Sequence, residues 1–305
     1  MTREMPAVSL VAVPGRRNRT LDLAREIERR GYAGIYCPSL GDAMGFCQSL
    51  AHVTSRIPFG TSIVNIYSRH AADFASTASY IHEVSNGRFR FGVGVSHGPM
   101  LKQMGLTGGQ PLGDTRAFVE TWRDASRLGE RPPLILAGLR CKMVALAGEV
   151  AEGVVFANVA RSHVSKTLGA ISGDRVGGED QRFFVGDMIP TCISGDIEAA
   201  KAVNRKTLIF YCSLPNYRNY WKEAGYVEEM EAIEAAIANK ERDRIPELMS
   251  DRWLADCTLF GPPAAIREGV EAWREAGVTT PILVPSSATG GQFDAFKELF
   301  AVFDD

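Results

Sequence analysis

The chain has 305 residues, of which 45% are hydrophobic and 23% are charged, so it is long enough and apolar enough to bury a large core. Its 34 basic and 36 acidic side chains leave a net charge of −2, which argues against a general affinity for nucleic acids or for anionic membranes. No apolar stretch reaches the roughly 18 residues that a transmembrane helix needs, so no membrane span is predicted.

The cysteines and the first residues of the chain indicate the cellular compartment of the protein. The six cysteines are scattered, with no CxxC pair and no histidine at metal-ligand spacing, so no metal site is predicted. Several of them lie in apolar runs, where a free cysteine behaves as a small hydrophobic residue in a reducing environment. Residues 1–14 lack the apolar segment and the cleavage site of a signal peptide. We therefore expect a cytoplasmic protein.

Short apolar, β-rich runs alternate with amphipathic stretches of helical period along the chain. The eight predicted strands cover residues 7–13, 34–38, 59–65, 88–95, 134–137, 153–158, 183–194 and 281–285. Predicted helices cover residues 20–31, 46–55, 71–84, 115–128, 141–149, 263–276 and 293–303, and two more begin near residues 162 and 196. Strands that alternate with helices in this way form a parallel sheet with right-handed crossovers.

Eight such units close into a barrel, so the sequence predicts an α/β fold of the (β/α)8 TIM barrel type, with residues 1–305 as a single domain. A doubly wound open sheet is the alternative, although no GxGxxG motif follows the first strand. Residues 215–256 depart from the repeat, because they are predicted to be helical and are rich in charge and aromatic residues. We interpret them as a helical insertion that packs on the barrel wall, and a lid or a dimer contact is the alternative. Residues 173–180 are predicted to form a mobile loop.

Barrel enzymes place their chemistry directly after the strands. The polar or glycine residues at the predicted strand ends are Ser39 with Asp42 beyond it, Asn65, Ser96 and His97, Gly138, Asn158, Ser194, Ser286 and Ser287. No lysine stands at a strand end to form a Schiff base, and no close carboxylate pair is present for glycoside cleavage. Such a set of side chains makes chemical sense if a cofactor carries the reaction.

Two of these strand ends have specific candidate roles. His97 is the strong acid–base group directly at a strand end, and the alternative is a rim histidine bonded to a backbone carbonyl. The turn at Ala137, Gly138 and Leu139 leads straight into a predicted helix, whose N–H groups and dipole favour a phosphate. The alternative at this turn is a glycine required only by the backbone conformation.

Four stretches together resemble the luciferase-like oxidoreductase superfamily, in particular its branch that uses the deazaflavin coenzyme F420. They are Gly-Thr-Ser-Ile at 60–63, Ser-Asn-Gly-Arg-Phe at 85–89, Gly-Val-Gly-Val-Ser-His at 92–97, and the run 136–153 with its Leu-Ala-Gly, Lys-Met, Leu-Ala-Gly and Ala-Glu-Gly elements. The resemblance extends from the first strand to the last helix. It implies a TIM barrel enzyme with a small-molecule substrate and, because members are often homodimers, self-association.

The resemblance also implies site residues. In the family, a bulged strand with a non-proline cis peptide stands behind the cofactor ring, and the matching residues here are Ser62 and Ile63. The predicted cofactor-binding residues are Ser62, Ile63, Asn65, Val95, Ser96, Ala137, Gly138, Leu139, Asn158 and Val159. At the places where sugar-phosphate dehydrogenases of this branch carry catalytic residues, this chain has His97 and, after the second strand, Ser39 and Asp42. We expect catalytic roles for these three, and a substrate other than a sugar phosphate.

The implied reaction is hydride transfer between coenzyme F420 and a small organic molecule, with His97 giving or taking the proton. One alternative is an FMN-dependent monooxygenase that uses dioxygen on the same barrel, and another is a non-catalytic flavin-binding barrel. F420 carries a long acidic chain, whereas FMN ends at its phosphate. An F420 enzyme is therefore expected to have a basic groove near Arg140, Arg161 and Lys166.

Overall fold

A computed structural model describes residues 4–125, 128–171, 175 and 183–304. The chain divides into two compact units, of which the first comprises Met1–Val155 with Gly169–Gly186 and the second comprises Phe156–Leu168 with Asp187–Asp305. Apart from Arg175, the predicted loop 173–180 lies outside the described residues. The assignment of the whole chain to one domain stays a prediction.

The first unit alternates strands and helices as predicted. Its elements are β1 (Ala7–Ser9), α1 (Arg17–Arg29), β2 (Ile35–Cys37), α2 (Ala43–Val53), β3 (Phe59–Thr61), β4 (Val64–Asn65), α3 (Ala71–Val84), β5 (Phe89–Gly94), α4 (Gly98–Gln103), α5 (Pro111–Asp124), β6 (Leu134–Ala137), α6 (Cys141–Val150) and β7 (Gly153–Ala157), whose last two residues belong to the second unit. The strands pair in parallel in the order β1-β2-β3-β5-β6-β7, and β4 pairs with β5. Their carboxyl ends therefore meet at one edge.

The core of the first unit depends on alternation along β5. Phe89 and Phe91 point to one face of the sheet, as residues two apart in a strand must. The Phe91 ring lies 5.5 Å from the ring of Phe74 on α3 and stacks at 4.7 Å on Trp122 of α5. Gly92 therefore lies on the opposite side of the strand, and as a glycine it places no side chain on that face. One face of β5 is thus filled by aromatic packing against helices, and the other carries no side chain at Gly92.

The second unit contains α7 (Val164–Leu168), β8 (Phe184–Ile193), α8 (Ile197–Cys212), α9 (Pro215–Glu223), α10 (Val227–Ala238), α11 (Ile245–Leu248), α12 (Asp251–Cys257), β9 (Leu259–Gly261), α13 (Pro263–Glu275), β10 (Thr280–Ser286) and α14 (Gln292–Phe303). β8 begins in the first unit. Short 3₁₀ turns precede α7 and α11 at Arg161–His163 and Arg242–Arg244. The stretch predicted to be a helical insertion is helical, as α9 to α12 show.

Two elements were not predicted. β9 is three residues long and pairs in parallel with β8, although an apolar run of this length after a helix gives no clear strand period. α4 forms in a stretch for which the sequence analysis gives no element. Elsewhere the predicted bounds agree within a few residues, and those of α3 and β6 agree fully.

Three general features complete the description. In the part of the chain that the structure describes, no helix is both long enough and apolar enough to cross a bilayer. The six cysteines are free thiols, and only Cys141 is exposed. The same described residues contain no group of three or more His, Cys, Asp or Glu side chains placed to hold a metal ion.

The first prediction concerns Gly92. A Cβ on this residue would lie 1.9 Å from the carbonyl oxygen of Thr61, so Gly92→Ala forces the backbone of β3 or β5 to move. We expect a loss of about 3 kcal/mol or more in the free energy of unfolding, measured by chemical denaturation. The matched control is Gly98→Ala, where nothing lies within 4 Å of the added Cβ, and its effect should stay within about 0.5 kcal/mol. Equal stability of the two variants would contradict the close approach of the strands.

Candidate active site

The centre of the candidate site is a break between β3 and β4. Gly60 pairs with Arg90, but four residues later Val64 pairs with Val93, so the register against β5 shifts by one residue. Residues 61–63, which we call the bulge, make up this extra length. The peptide bond between Ser62 and Ile63 is cis, as the family resemblance implies.

The bulge is fixed by hydrogen bonds that replace the missing ladder. The Thr61 hydroxyl donates to the Gly92 carbonyl at 2.7 Å and accepts from the Gly92 N–H at 2.9 Å. On the other side, the Ser62 N–H donates to the Cys37 carbonyl at 2.7 Å. A single threonine side chain thus satisfies both backbone groups of Gly92, which would otherwise be buried without partners.

In the bulge, the Ile63 side chain packs against β5 at Gly92 and Gly94, which have no side chains. A Cβ on Gly92 would lie 3.5 Å from the Ile63 side chain, and a Cβ on Gly94 would lie 3.2 Å from it. The glycines therefore let Ile63 rest directly on the backbone of β5. Ile63 remains half-buried. We call this half-exposed aliphatic surface, with the two glycines behind it, the Ile63 platform.

Asn65, two residues beyond the platform, offers an unused donor. Its side-chain oxygen accepts the N–H of Tyr67 at 3.0 Å, which fixes the orientation of the amide. Its Nδ2 group is buried and has no hydrogen-bond partner among the described residues. Asn65 also lies opposite Gly94 in the pairing of β4 with β5. A buried N–H without a partner is costly, so a ligand that accepts from it would be favoured.

The end of β5 carries the predicted acid–base group. Ser96 has a φ of +59°, in the left-handed region that non-glycine residues seldom adopt, and this turns the chain sharply after β5. His97 follows as the residue before the first turn of α4 and is half-buried. Burial lowers the pKa of the His97 imidazole below its ordinary value. The ring is therefore neutral at pH 7, with one nitrogen that donates a hydrogen bond and one that accepts a hydrogen bond or a proton.

The turn after β6 differs in detail from the predicted phosphate site. The Gly138 N–H donates to the Val155 carbonyl at 3.0 Å, so this group continues the strand ladder. The N–H groups at the start of α6, at Cys141 and Lys142, have no intrahelical acceptor. An anion at this turn would therefore be bound by the first turn of α6.

Ser39 and Asp42 lie in the loop after β2, and both are exposed. The Asp42 carboxylate accepts the N–H of Gly45 at 3.0 Å and caps the amino end of α2. This contact gives Asp42 a structural role as the N-cap of α2. The catalytic roles of both residues stay predictions.

A contact that the sequence did not reveal lies beside Asn65. The Tyr67 hydroxyl donates to Asp114 at the start of α5 at 2.7 Å. Burial, and next the neighbouring Asp114 carboxylate, raise the pKa of Tyr67 to about 12, so the phenol stays protonated. The pair links the chain after β4 to α5. Its members are separated by 47 positions in the sequence, so no local pattern indicates the contact.

In the second unit, the two predicted cofactor residues follow β7. Asn158 has a φ of +56° and is buried, as is Val159. The Asn158 N–H donates to the Met188 carbonyl at 3.2 Å, so this residue ends the pairing with β8. Like Ser96, it is a polar residue in the left-handed conformation directly after a strand.

Asp187 on β8 is a buried acid that the sequence analysis did not single out. It has no exposed surface, and neither carboxyl oxygen has a hydrogen-bond partner of good geometry among the described residues. Burial raises the pKa of the carboxyl well above its ordinary value, and the backbone N–H groups of Val159 and Met188 act in the opposite direction. Because burial is the larger cause, the fold favours the protonated form of this carboxyl.

Comparison with known proteins identifies the class. The Luciferase-like monooxygenase family matches residues 6–280, which is most of the chain. The chain belongs to this family. The 5,10-methylenetetrahydromethanopterin reductase of Methanolobus tindarius is 28% identical over 213 residues, which are 61% of this chain and 64% of the reductase. The match with this relative thus spans slightly less than two thirds of its length.

Solved structures confirm the predicted fold. The coenzyme F420-dependent tetrahydromethanopterin reductase of Methanopyrus kandleri has a TM-score of 0.76 at 17% identity, with 97% of each chain covered. The oxygenating constituent of 3,6-diketocamphane monooxygenase from Pseudomonas putida, in complex with FMN, has a TM-score of 0.60 at 15% identity and covers 98% of this chain and 95% of its own. This luciferase-like protein therefore has the (β/α)8 barrel fold and is an enzyme of the luciferase-like class.

The buried acid generates the second prediction. In the unfolded chain an aspartate ionises above about pH 4, whereas burial in the fold raises the pKa of Asp187 well above that value. A pKa that is raised on folding makes stability fall as pH rises through the unfolded value. We expect Asp187→Asn, which cannot ionise, to raise the melting temperature by roughly 5 °C at pH 7 and hardly at all at pH 4.

The control for this prediction is Asp243→Asn, since Asp243 is exposed. Its difference from the parent protein should not grow between pH 4 and pH 7 in the same circular-dichroism melts. If the Asp187→Asn difference is the same at both pH values, the carboxyl is not held protonated in the folded protein.

Proposed function

We propose that the protein is an oxidoreductase that transfers a hydride between coenzyme F420 and a small organic molecule. The observation that carries the proposal is the Ile63 platform with the unpartnered Asn65 amide beside it. A deazaflavin ring has flat apolar faces and carbonyl oxygens at its rim, so both features suit it. The likeness to a solved coenzyme F420-dependent reductase supports the choice of cofactor.

The first unit supplies the contacts to the ring. Ile63 supports one face, because its side chain rests directly on the backbone of β5 at the two glycines. Asn65 Nδ2 offers an N–H to a rim oxygen, and the Tyr67 N–H holds the amide in that orientation. Val95 and Ser96 are the proposed contacts from the end of β5. When bound, the deazaflavin supplies two-electron hydride chemistry.

His97 is the proposed proton donor or acceptor. A substrate that gains a hydride at one atom gains a proton at its neighbour, and the reverse reaction returns both. The neutral imidazole that burial favours would accept the proton when the substrate is oxidised, and the imidazolium formed in this way would return it in the reverse reaction. Its place directly after β5, beyond the left-handed Ser96, puts it at the edge where the strands end.

The remaining proposed cofactor contacts follow β6 and β7. The first turn of α6, after Ala137, Gly138 and Leu139, is the proposed phosphate site in the first unit. In the second unit, Asn158 and Val159 are proposed contacts. The side chains proposed for the acidic tail are Arg140, which is exposed, Arg161, which is half-buried, and Lys166, which is exposed. A homodimer in the cytoplasm also remains part of the proposal.

A second candidate function is FMN-dependent monooxygenation. The observation that favours it is the structural likeness to an FMN-bound monooxygenase, whose ring makes similar demands on a platform. The two candidates differ in the cofactor tail and in the use of dioxygen. The non-catalytic alternative is disfavoured by membership of an enzyme family.

The third prediction separates the cofactors. Purified protein is titrated with F420 and, separately, with FMN, and quenching of the cofactor fluorescence is followed. We expect F420 to bind with a dissociation constant of about 1 μM or less and FMN to bind at least about tenfold more weakly. The reverse preference would assign the protein to the FMN monooxygenases, and binding of neither cofactor would overturn the proposal.

An isosteric variant shows whether the platform is the binding site. Asn65→Asp keeps an oxygen that accepts the Tyr67 N–H and removes the Nδ2 donor. F420 binding should weaken by roughly tenfold or more, since a carboxyl facing a ring carbonyl lacks the donor. Unchanged affinity in this variant would place the ring elsewhere.

A further inference from the structure

The helical insertion is tied by its side chains to the segment that follows β7. We define this segment as residues 158–162. It lies in the second unit together with α9 and α12. It begins with the left-handed Asn158 and contains Val159, the two proposed cofactor contacts of this unit.

Two aromatic side chains of α9 contact the start of the segment. The Trp221 indole N–H donates to the Asn158 carbonyl at 3.1 Å. The Tyr220 hydroxyl accepts the N–H of Ala160 at 3.2 Å. Both side chains are almost completely buried, so these bonds are not exchanged for water. They hold one carbonyl and one N–H of a short irregular stretch that has no ladder of its own.

α12 holds the other end of the segment. The Asp256 carboxylate accepts from the Ser162 N–H at 3.0 Å and from the Ser162 hydroxyl at 2.5 Å. The same carboxylate accepts the hydroxyl of Tyr226 at 2.7 Å. Asp256 is buried, and three donors compensate for its charge. The insertion therefore bonds to both ends of the segment.

The simple interpretation of the insertion as wall packing does not account for these bonds. Packing would be satisfied by any large apolar side chain at positions 220 and 221. Here the indole N–H of Trp221 and the hydroxyl of Tyr220 form hydrogen bonds with the backbone of residues 158–162. We infer that the insertion is a positioning element, in which Trp221, Tyr220 and Asp256 hold residues 158–162 in the conformation that binds the cofactor.

This inference rests on the proposed function, because it takes Asn158 and Val159 as cofactor contacts. None of the three insertion residues is assigned contact with the cofactor or the substrate. Their effect on binding would be exerted through the segment.

The chain provides a matched pair of tryptophans for the test. Trp221 and Trp253 are both fully buried, and their rings pack edge to face at 4.8 Å. The Trp253 indole nitrogen has no hydrogen-bond partner among the described residues, whereas that of Trp221 bonds to Asn158. Trp→Phe at either position removes similar volume, but only Trp221→Phe removes a bond to the segment.

We expect Trp221→Phe to weaken F420 binding by roughly tenfold, and Trp253→Phe to leave it within about twofold of the parent protein. Both variants should lose similar melting temperature, because both create a comparable cavity. In hydrogen–deuterium exchange, peptides covering the segment should exchange faster in Trp221→Phe than in Trp253→Phe. Tyr220→Phe is the second variant if Trp221→Phe does not fold, and the same loss of affinity is expected.

The outcomes separate the two claims. If the parent protein binds neither F420 nor FMN, the proposed function fails, and the exchange rates alone decide whether the insertion holds the segment. If the parent protein binds F420 and the two tryptophan variants bind it equally well, the positioning role is overturned while the proposed function stands. Equal exchange of the segment in both variants would overturn the inference in either case.

Discussion

The candidate site depends on the pair of hydrogen bonds between the Thr61 hydroxyl and the backbone of Gly92. These bonds allow β3 to leave the ladder and rejoin it one residue out of register, as β4. Without them, two buried backbone groups of Gly92 would lack partners at the point where the strands separate. The position of Ile63 and the orientation of Asn65 follow from this shift.

Glycine at positions 92 and 94 is the second condition. One face of β5 carries Phe89 and Phe91, which stabilise the strand by packing against helices. The opposite face has no side chains at 92 and 94, which costs strand stability but leaves room for Ile63. Local stability is thus lower at the residues proposed to bind the cofactor, as is common at functional sites.

The two strand ends with polar residues in the left-handed conformation are stabilised differently. Ser96 leads directly into α4, so a helix follows the turn within two residues. Asn158 has no helix immediately after it, and side chains from α9 and α12 bond to its segment instead. A barrel that lacked the insertion would need another way to fix residues 158–162.

Much of the fold could be predicted from the sequence, because hydrophobic period and turn residues are local signals. The bounds of α3 and β6 follow from such signals, and the glycine pattern at 92–97 supports the family resemblance. β9 and α4 could not be predicted, since three residues carry no period and a glycine-rich stretch does not indicate a helix.

The site was predicted less completely because its decisive contacts join distant residues. The cis peptide at Ser62 and Ile63 was predicted and is present. The Gly138 N–H, expected to face a phosphate, instead continues the ladder to Val155, which only the pairing of two strands reveals. Trp221 is 63 positions from Asn158 in the sequence, and Asp256 is 94 positions from Ser162, so no sequence spacing indicates these bonds.

The most direct test of the account is a crystal structure of the protein with F420 bound. The account predicts that the deazaflavin ring lies in van der Waals contact with Ile63 and that a ring oxygen accepts a hydrogen bond from Asn65 Nδ2. A ring bound away from the Ile63 platform, or an Asn65 amide that remains without a partner in the complex, would contradict it.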